Sequence, residues 1–214
     1  MKKKVAKITV NAILILFGLV TIYPFVWMVF SSFKKNSEIL ALHQQLLPKE
    51  FILDNYINMN ERFNFMQFFA NSLFVTLVIT VLVVYTSTLC GFVLSKYKFK
   101  GRNLLFGFVL GTMMIPWCVT IIPKYTMIQS FGWLDSYKAL IIPAMFSGFG
   151  IFNMKQHIDT LPDEILEAAR IDGANEFYIF HKIIFPMAKN GISSIAIFQF
   201  LWAWEDYLWP YLVI

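Results

Sequence analysis

Polar and apolar positions in this chain of 214 residues separate into long blocks. Runs without Asp, Glu, Lys or Arg cover 8–33, 63–95, 103–123, 139–154 and 190–204, the last continuing to 214 beyond Glu205 and Asp206. An ion near the centre of a bilayer costs about 2.5 to 3.5 kcal/mol even on lenient insertion scales, so such runs mark where membrane spans can lie. A span needs about 20 residues. The pattern therefore predicts an all-α polytopic membrane protein in a single domain, 1–214, with spans at about 9–32, 70–94, 103–123, 135–154 and 190–211. The fourth is the shortest run; it must borrow from 133–137, leaving Asp135 near the surface and letting Lys138 snorkel. Lysines at 2, 3, 4 and 7 precede the first run as they would in a secretory signal, but that run passes through Tyr23, Pro24, Phe25 and Trp27 and is too long for a signal core.

Composition agrees with a lipid solvent. Hydrophobic residues make up 58% of the chain and charged ones only 14%, against about a quarter in soluble domains. The net charge of +5 would suit nucleic acid only if the cations formed one stripe; they sit in small groups at the ends of apolar runs, which argues against a nucleic-acid partner. With the N-terminus cytoplasmic, twelve Lys and Arg fall on the inner side and six on the outer, so the positive-inside rule predicts that orientation. It also puts 155–189 in the cytoplasm. Cys90 and Cys118 both lie within hydrophobic runs and read as small apolar side chains. The histidines at 43, 157 and 181 stand at no metal-ligand spacing and beside no nucleophile motif, so neither a metal site nor a membrane enzyme is favoured.

The 155–189 stretch is the most informative. Thr160-Leu161-Pro162-Asp163 resembles a capping box with the shorter acid, and predicts a helix over 162–172 with Thr160 as N-cap. Asp163, Glu164 and Glu167 favour its positive end, Arg170 its negative end, and Gly173 suits a left-handed stop. At about 1.5 Å per residue it spans roughly 16 Å, too short to cross a membrane. Ile165, Ala168, Ala169 and Asp172 recur at helical spacing and predict a flat, mostly apolar face. Such a face either packs on the protein's own spans or docks into a cleft on a partner. A second short element follows, with Asn175 as its N-cap and Pro186 closing it.

Glu167-Ala168-Ala169-Arg170-Ile171-Asp172-Gly173-Ala174, continuing through Phe180, Ile183 and Pro186, resembles the "EAA" coupling loop of binding-protein-dependent ABC importer permeases. Met114-Ile115-Pro116, Phe99-Lys100-Gly101-Arg102 and Trp204-Glu205-Asp206-Tyr207-Leu208-Trp209-Pro210 are similar to the maltose-type carbohydrate subgroup. The resemblance implies a type I importer helix bundle that this chain would end before its last span. It further implies a sugar or oligosaccharide as cargo and the bacterial plasma membrane as location. The implied partners are a second permease subunit, two ATPase subunits and an extracytoplasmic solute-binding protein. On that resemblance Glu167, Ala168, Ala169, Asp172, Gly173, Ala174, Phe180 and Pro186 form the ATPase-coupling element. The chain carries no phosphate-loop motif, so ATP and Mg are expected on the partner and no cofactor here. Asn190 and Glu205-Asp206-Tyr207 depart from the family pattern. A non-transporting scaffold or a membrane enzyme is the alternative function.

Trp202, Trp204, Glu205 and Asp206 are candidates for the solute pathway, because intramembrane acids mark function and aromatic faces beside carboxylates suit sugar rings. Trp204 could instead serve as an anchor at the membrane interface.

Overall fold

The computed structural model describes residues 2–214, without the side chains of 2, 3, 5, 6 and 60–62. Met1 and the side chains of Lys2, Lys3 and Arg62, which enter the domain and orientation arguments, thus lie outside the described set. Helix accounts for 78% of the structure, with no strand among the described residues. The chain divides into two compact units, Met1–Phe68 and Phe69–Ile214.

In the first unit, α1 (Lys2–Ser31) is one helix whose apolar part, Lys7–Ser31, is long enough to cross a membrane. The chain then folds back through α2 (Asn36–Ile39) to α3 (Asp54–Phe63). Phe33 packs between Phe51 and Tyr56, and Asn55 Nδ2 donates to the carbonyls of Ser32 and Lys34 at 3.0 and 2.8 Å. Lys34 is buried because its ammonium lies over the Trp27 ring and donates to the Gln45 carbonyl at 2.5 Å.

The second unit is organised by α4 (Phe65–Lys96). One face of this helix carries Thr76, Thr80, Ser87, Thr88 and Gly91, all buried. Small residues at such spacing let helix backbones approach closely in a membrane, where no hydrophobic force between helices exists. The hydroxyls of Thr80 and Thr88 donate to carbonyls four residues earlier, at 2.7 Å each, so their burial leaves no orphaned donor. Crossing this face is α8 (Gly148–Asp159), which Ser147 caps by accepting from the Gly150 amide at 3.1 Å. A Cβ on Gly91 would lie 2.8 Å from the backbone nitrogen of Lys155, and one on Gly150 would collide with Ser87.

Between these helices come α5 (Arg102–Met114), α6 (Trp117–Ser130) and α7 (Tyr137–Ile141), then a 3₁₀ turn, Ile142–Ala144. Where a straight span is expected over 103–123, α5 and α6 meet at 102°. Pro116 is the cause: it withholds an amide and forces Ile115 into extended backbone, with φ −83° and ψ 118°. Over 135–154 the backbone runs as α7, the 3₁₀ turn around Pro143 and the first half of α8 rather than as one rod.

After α8 come α9 (Asp163–Ile171), α10 (Glu176–Tyr178), a π-helical turn (Ile179–Ile184) and α11 (Phe185–Met187). Then follow α12 (Lys189–Glu205) and α13 (Leu208–Val213). Glu176–Met187 and α12 meet at 77° around Ala188, which is fully buried. One core joins α4, α8, α9, the π turn and α12 through Val83, Phe92, Met154, Ile158, Leu166, Ile184 and Ile195. A smaller one sets Trp209 and Val213 of α13 against Ile128 and Ala139. Lys7–Ser31 and α4 are each long and apolar enough to cross a membrane, whereas α5 with α6, and Glu176–Met187 with α12, reach that length only as bent pairs, each a broken span or a re-entrant loop.

Candidate functional site

Both candidate sites lie in the second unit. At the first, Thr160 is not the N-cap of α9: its hydroxyl donates to the His157 carbonyl at 2.7 Å, finishing α8, and extended Pro162 takes the cap position without a side-chain bond. Proline serves there because the amide it lacks would have had no partner. The expected stop is present. Gly173 has φ +84°, its amide donates to Arg170 at 3.1 Å and that of Ala174 to Ala169 at 2.9 Å. This pair of bonds is the Schellman arrangement. Asn175 then caps α10, accepting from the Tyr178 amide at 2.8 Å.

The single apolar face expected from Ile165, Ala168, Ala169 and Asp172 is divided between two sides. Leu166, 2% exposed, and Ala169 turn toward the core, as do Ala174 and Phe180. Ile165, Glu167, Ala168 and Asp172 point outward together with Ile171, which is 86% exposed. Leu166 is the residue that sequence spacing passes over, because its neighbours on the inner side come from other elements. Phe180 packs edge-on against Tyr85 and also meets Phe92 and Phe185; Pro186 lies exposed in the first turn of α11.

Two polar clamps fix α9 to the end of α4. Lys96 Nζ pairs with Asp163 at 2.5 Å and donates to the Leu161 carbonyl at 2.6 Å, and its ammonium holds the Asp163 carboxyl below the usual carboxylate range. At the other end Glu176 accepts from Arg170 Nε at 2.8 Å and from the Tyr97 hydroxyl. Arg170, with help from Tyr97, depresses the Glu176 carboxyl, while burial and then the hydrogen bond to Glu176 push the Tyr97 hydroxyl up to about 12. Asp159 also binds this corner, accepting from Lys155 and Ser95 at 2.6 Å each; partial burial raises its carboxyl, but those bonds prevail and hold it low. Sequence reading marks Lys96 only as an orienting charge and gives Tyr97 and Glu176 no role, since their pairing depends on tertiary contact.

The second site is a cavity of about 750 Å³. Trp202, Glu205 and Asp206 line it, with Trp117, Lys124 and Phe149 among the facing residues. Trp202 stands edge-on to Phe149 at 5.2 Å. Lys124, not singled out by sequence, puts its ammonium 4.0 Å over the Trp209 ring, and Trp209 in turn donates from Nε1 to the Ala139 carbonyl at 3.0 Å. Trp204 is not among the lining residues; it meets Phe69 and stacks on Phe200. Being two positions from Trp202 on a helix, it faces away.

Residues 86–214, which include both sites, match the family described as "Binding-protein-dependent transport system inner membrane component". The chain belongs to this family. The inner membrane ABC transporter permease protein YcjP of Escherichia coli K12 is 34% identical over 97% of this chain and 75% of its own length. The arabinooligosaccharides transport system permease protein AraQ of Bacillus subtilis is 33% identical over 98% and 76%. The diacetylchitobiose uptake system permease protein NgcG of Streptomyces coelicolor is 34% identical over 94% and 67%. Among solved structures, a bacterial ABC transporter involved in import of the acidic polysaccharide alginate superposes with a TM-score of 0.87 at 23% identity, over all of this chain and 76% of that one. The α9 clamps and the cavity are thus features of an ABC permease subunit, a class that works with other transporter subunits.

Proposed function

We propose that this permease forms part of the translocation pathway of an ATP-driven importer for a sugar or oligosaccharide, and that α9 is its docking helix for a separate ATPase. The reading rests above all on the division of α9. Its inner side is sealed by Leu166 and held at both ends by Lys96 and by the Tyr97–Glu176–Arg170 group, while its outer side leaves Ile165, Ala168 and Ile171 uncovered. An exposed apolar strip on a helix this firmly held suits a cleft on a partner. Because α9 shares a core with α4 and α12, its displacement would carry those helices with it, the behaviour needed to couple two distant sites.

In this reading the N-terminus and 155–189 are cytoplasmic, in a bacterial plasma membrane. ATP and Mg are bound by two ATPase subunits, and a second permease subunit and an extracytoplasmic binding protein complete the importer. The relatives named for diacetylchitobiose and arabinooligosaccharides support a saccharide cargo. So does the cavity, where the Trp202 face, two carboxylates and an ammonium offer a ring platform beside hydrogen-bonding groups. The test is co-purification of the ATPase with the Ile171→Asp and Ala168→Arg variants. Both should insert in the membrane normally and recover no ATPase; undiminished recovery with both would remove the docking role. Intact ATPase binding without saccharide uptake by the assembled importer would point to a non-transporting scaffold.

A further inference from the structure

A feature that neither the docking helix nor the cavity uses lies along α4 and α5. The turn joining them, residues 97–101, reverses at Gly101 with φ +90° and carries Lys98 and Lys100, with Arg102 opening α5. Lys98, Arg102 and Asn103 line a polar recess of about 300 Å³. Phe99 lines this recess and also a groove of about 700 Å³ that continues along the two helices past Val93, Leu105, Phe108 and Val109 to Ile151 of α8. The groove is apolar throughout except for Cys90 and Thr112, and the Thr112 hydroxyl is already committed to the Val109 carbonyl at 2.6 Å. It is open on the α5 side, where Leu105 is 52% and Phe108 66% exposed.

Among the described residues, Lys98, Lys100 and Arg102 take part in no ion pair. The acid that feels the Lys98 charge, Asp163, is paired to Lys96. A cationic recess and an apolar groove that share Phe99 as a wall, at the end of a helix long enough to span a membrane, are together the complement of one kind of molecule, with an anionic head and long hydrocarbon tails. We infer that this recess and groove form a binding site for an anionic phospholipid, the phosphate held by Lys98 and Arg102 and an acyl chain lying along Phe99, Leu105 and Phe108. An apolar helix of another subunit would fill the groove but leave the cations unmatched. The inference stands apart from the docking role of α9, since it requires that the second unit be embedded in lipid with the α5 side of the groove facing it, and nothing of α9.

The full chain is reconstituted in vesicles of phosphatidylglycerol mixed with phosphatidylcholine, extracted gently, and the retained lipid measured by native mass spectrometry. Phosphatidylglycerol should be retained selectively. Replacing both Lys98 and Arg102 by Gln should lower that retention roughly thirtyfold, each basic group near an anionic head being worth about a factor of five. Lys98→Arg with Arg102→Lys should keep it, and Leu105→Trp, which fills the groove while preserving the charges, should reduce it. A photoreactive side chain at Phe108 should form adducts of lipid mass in the assembled transporter. Equal retention of the two lipids would overturn the site, as would retention indifferent to both the Gln pair and Leu105→Trp, or adducts from position 108 to polypeptide alone.

Discussion

Replacing Leu166 by alanine tests how α9 is held. The side chain is 2% exposed and packs in the core shared by α4, α8, the π turn and α12. Truncating a buried leucine costs about 2 to 5 kcal/mol, depending on how far the surroundings collapse. The half-exposed Arg170–Glu176 pair contributes at most about 1 kcal/mol, and Lys96–Asp163, which joins a buried ammonium to an exposed carboxylate, adds a contribution of similar size. At nine residues, α9 is far too short to persist as a helix unsupported. The loss should therefore appear as local detachment of α9, with the amides of residues 167–171 exchanging about thirtyfold to several thousandfold faster while the middle of α4 is unchanged. Ile171→Ser, at a position 86% exposed, should leave the same amides within about twofold of the wild type. Hydrogen exchange read by mass spectrometry in detergent or nanodiscs makes the comparison. Unaltered exchange in α9 of Leu166→Ala, or equal acceleration through the middle of α4, would refute the idea of a small helix kept in place chiefly by one leucine.

Other outcomes follow from the same geometry. Gly91→Val should abolish correctly folded yield in membranes, since its side chain would press on backbone at 2.8 Å; size-exclusion chromatography of purified protein measures this. The depressed carboxyls of Glu176 and Asp159 stabilise the α9 corner above the ordinary carboxylate range, and that contribution should fade as pH falls through their lowered values, below about pH 4. Glu176→Gln should flatten this acid limb in an exchange experiment. Trp202→Ala should reduce solute uptake by a complete transporter far more than Trp204→Leu, because only the first residue lines the cavity. The double change Glu205→Gln with Asp206→Asn should lower uptake without lowering assembly, as judged by transport and co-purification in parallel.

Much of this was legible in the one-dimensional pattern because membranes impose strong rules on it. The charge-free runs mark Lys7–Ser31 and α4 directly. Gly173 declares the end of α9 because few other residues accept its backbone conformation, and Asn175 declares the next start through a bond to an amide three residues on. The break at Ile115 and Pro116 was written in the chain as well, yet an uncharged run looks the same whether it is straight or folded through 102°. Facing was the harder matter. Spacing groups Ala169 with Ala168, but which side of a short helix turns inward depends on the pocket offered by Phe92, Ile158 and Ile184, contributed by residues distant along the chain. The same holds for Tyr97 with Glu176, and for Lys124 over Trp209: neither pairing leaves a local signature.

The corner at Ala188 gives this arrangement a mechanical meaning. One limb, Glu176–Met187, rests beside α9, and the other, α12, carries Trp202 and Glu205 near its far end. At 17 residues that far limb measures about 25 Å. In the proposed docking role, two limbs joined near a right angle would work as a bell crank: a tilt of about three degrees at the short limb would become a sideways sweep of about 1 Å at the tip of the long one.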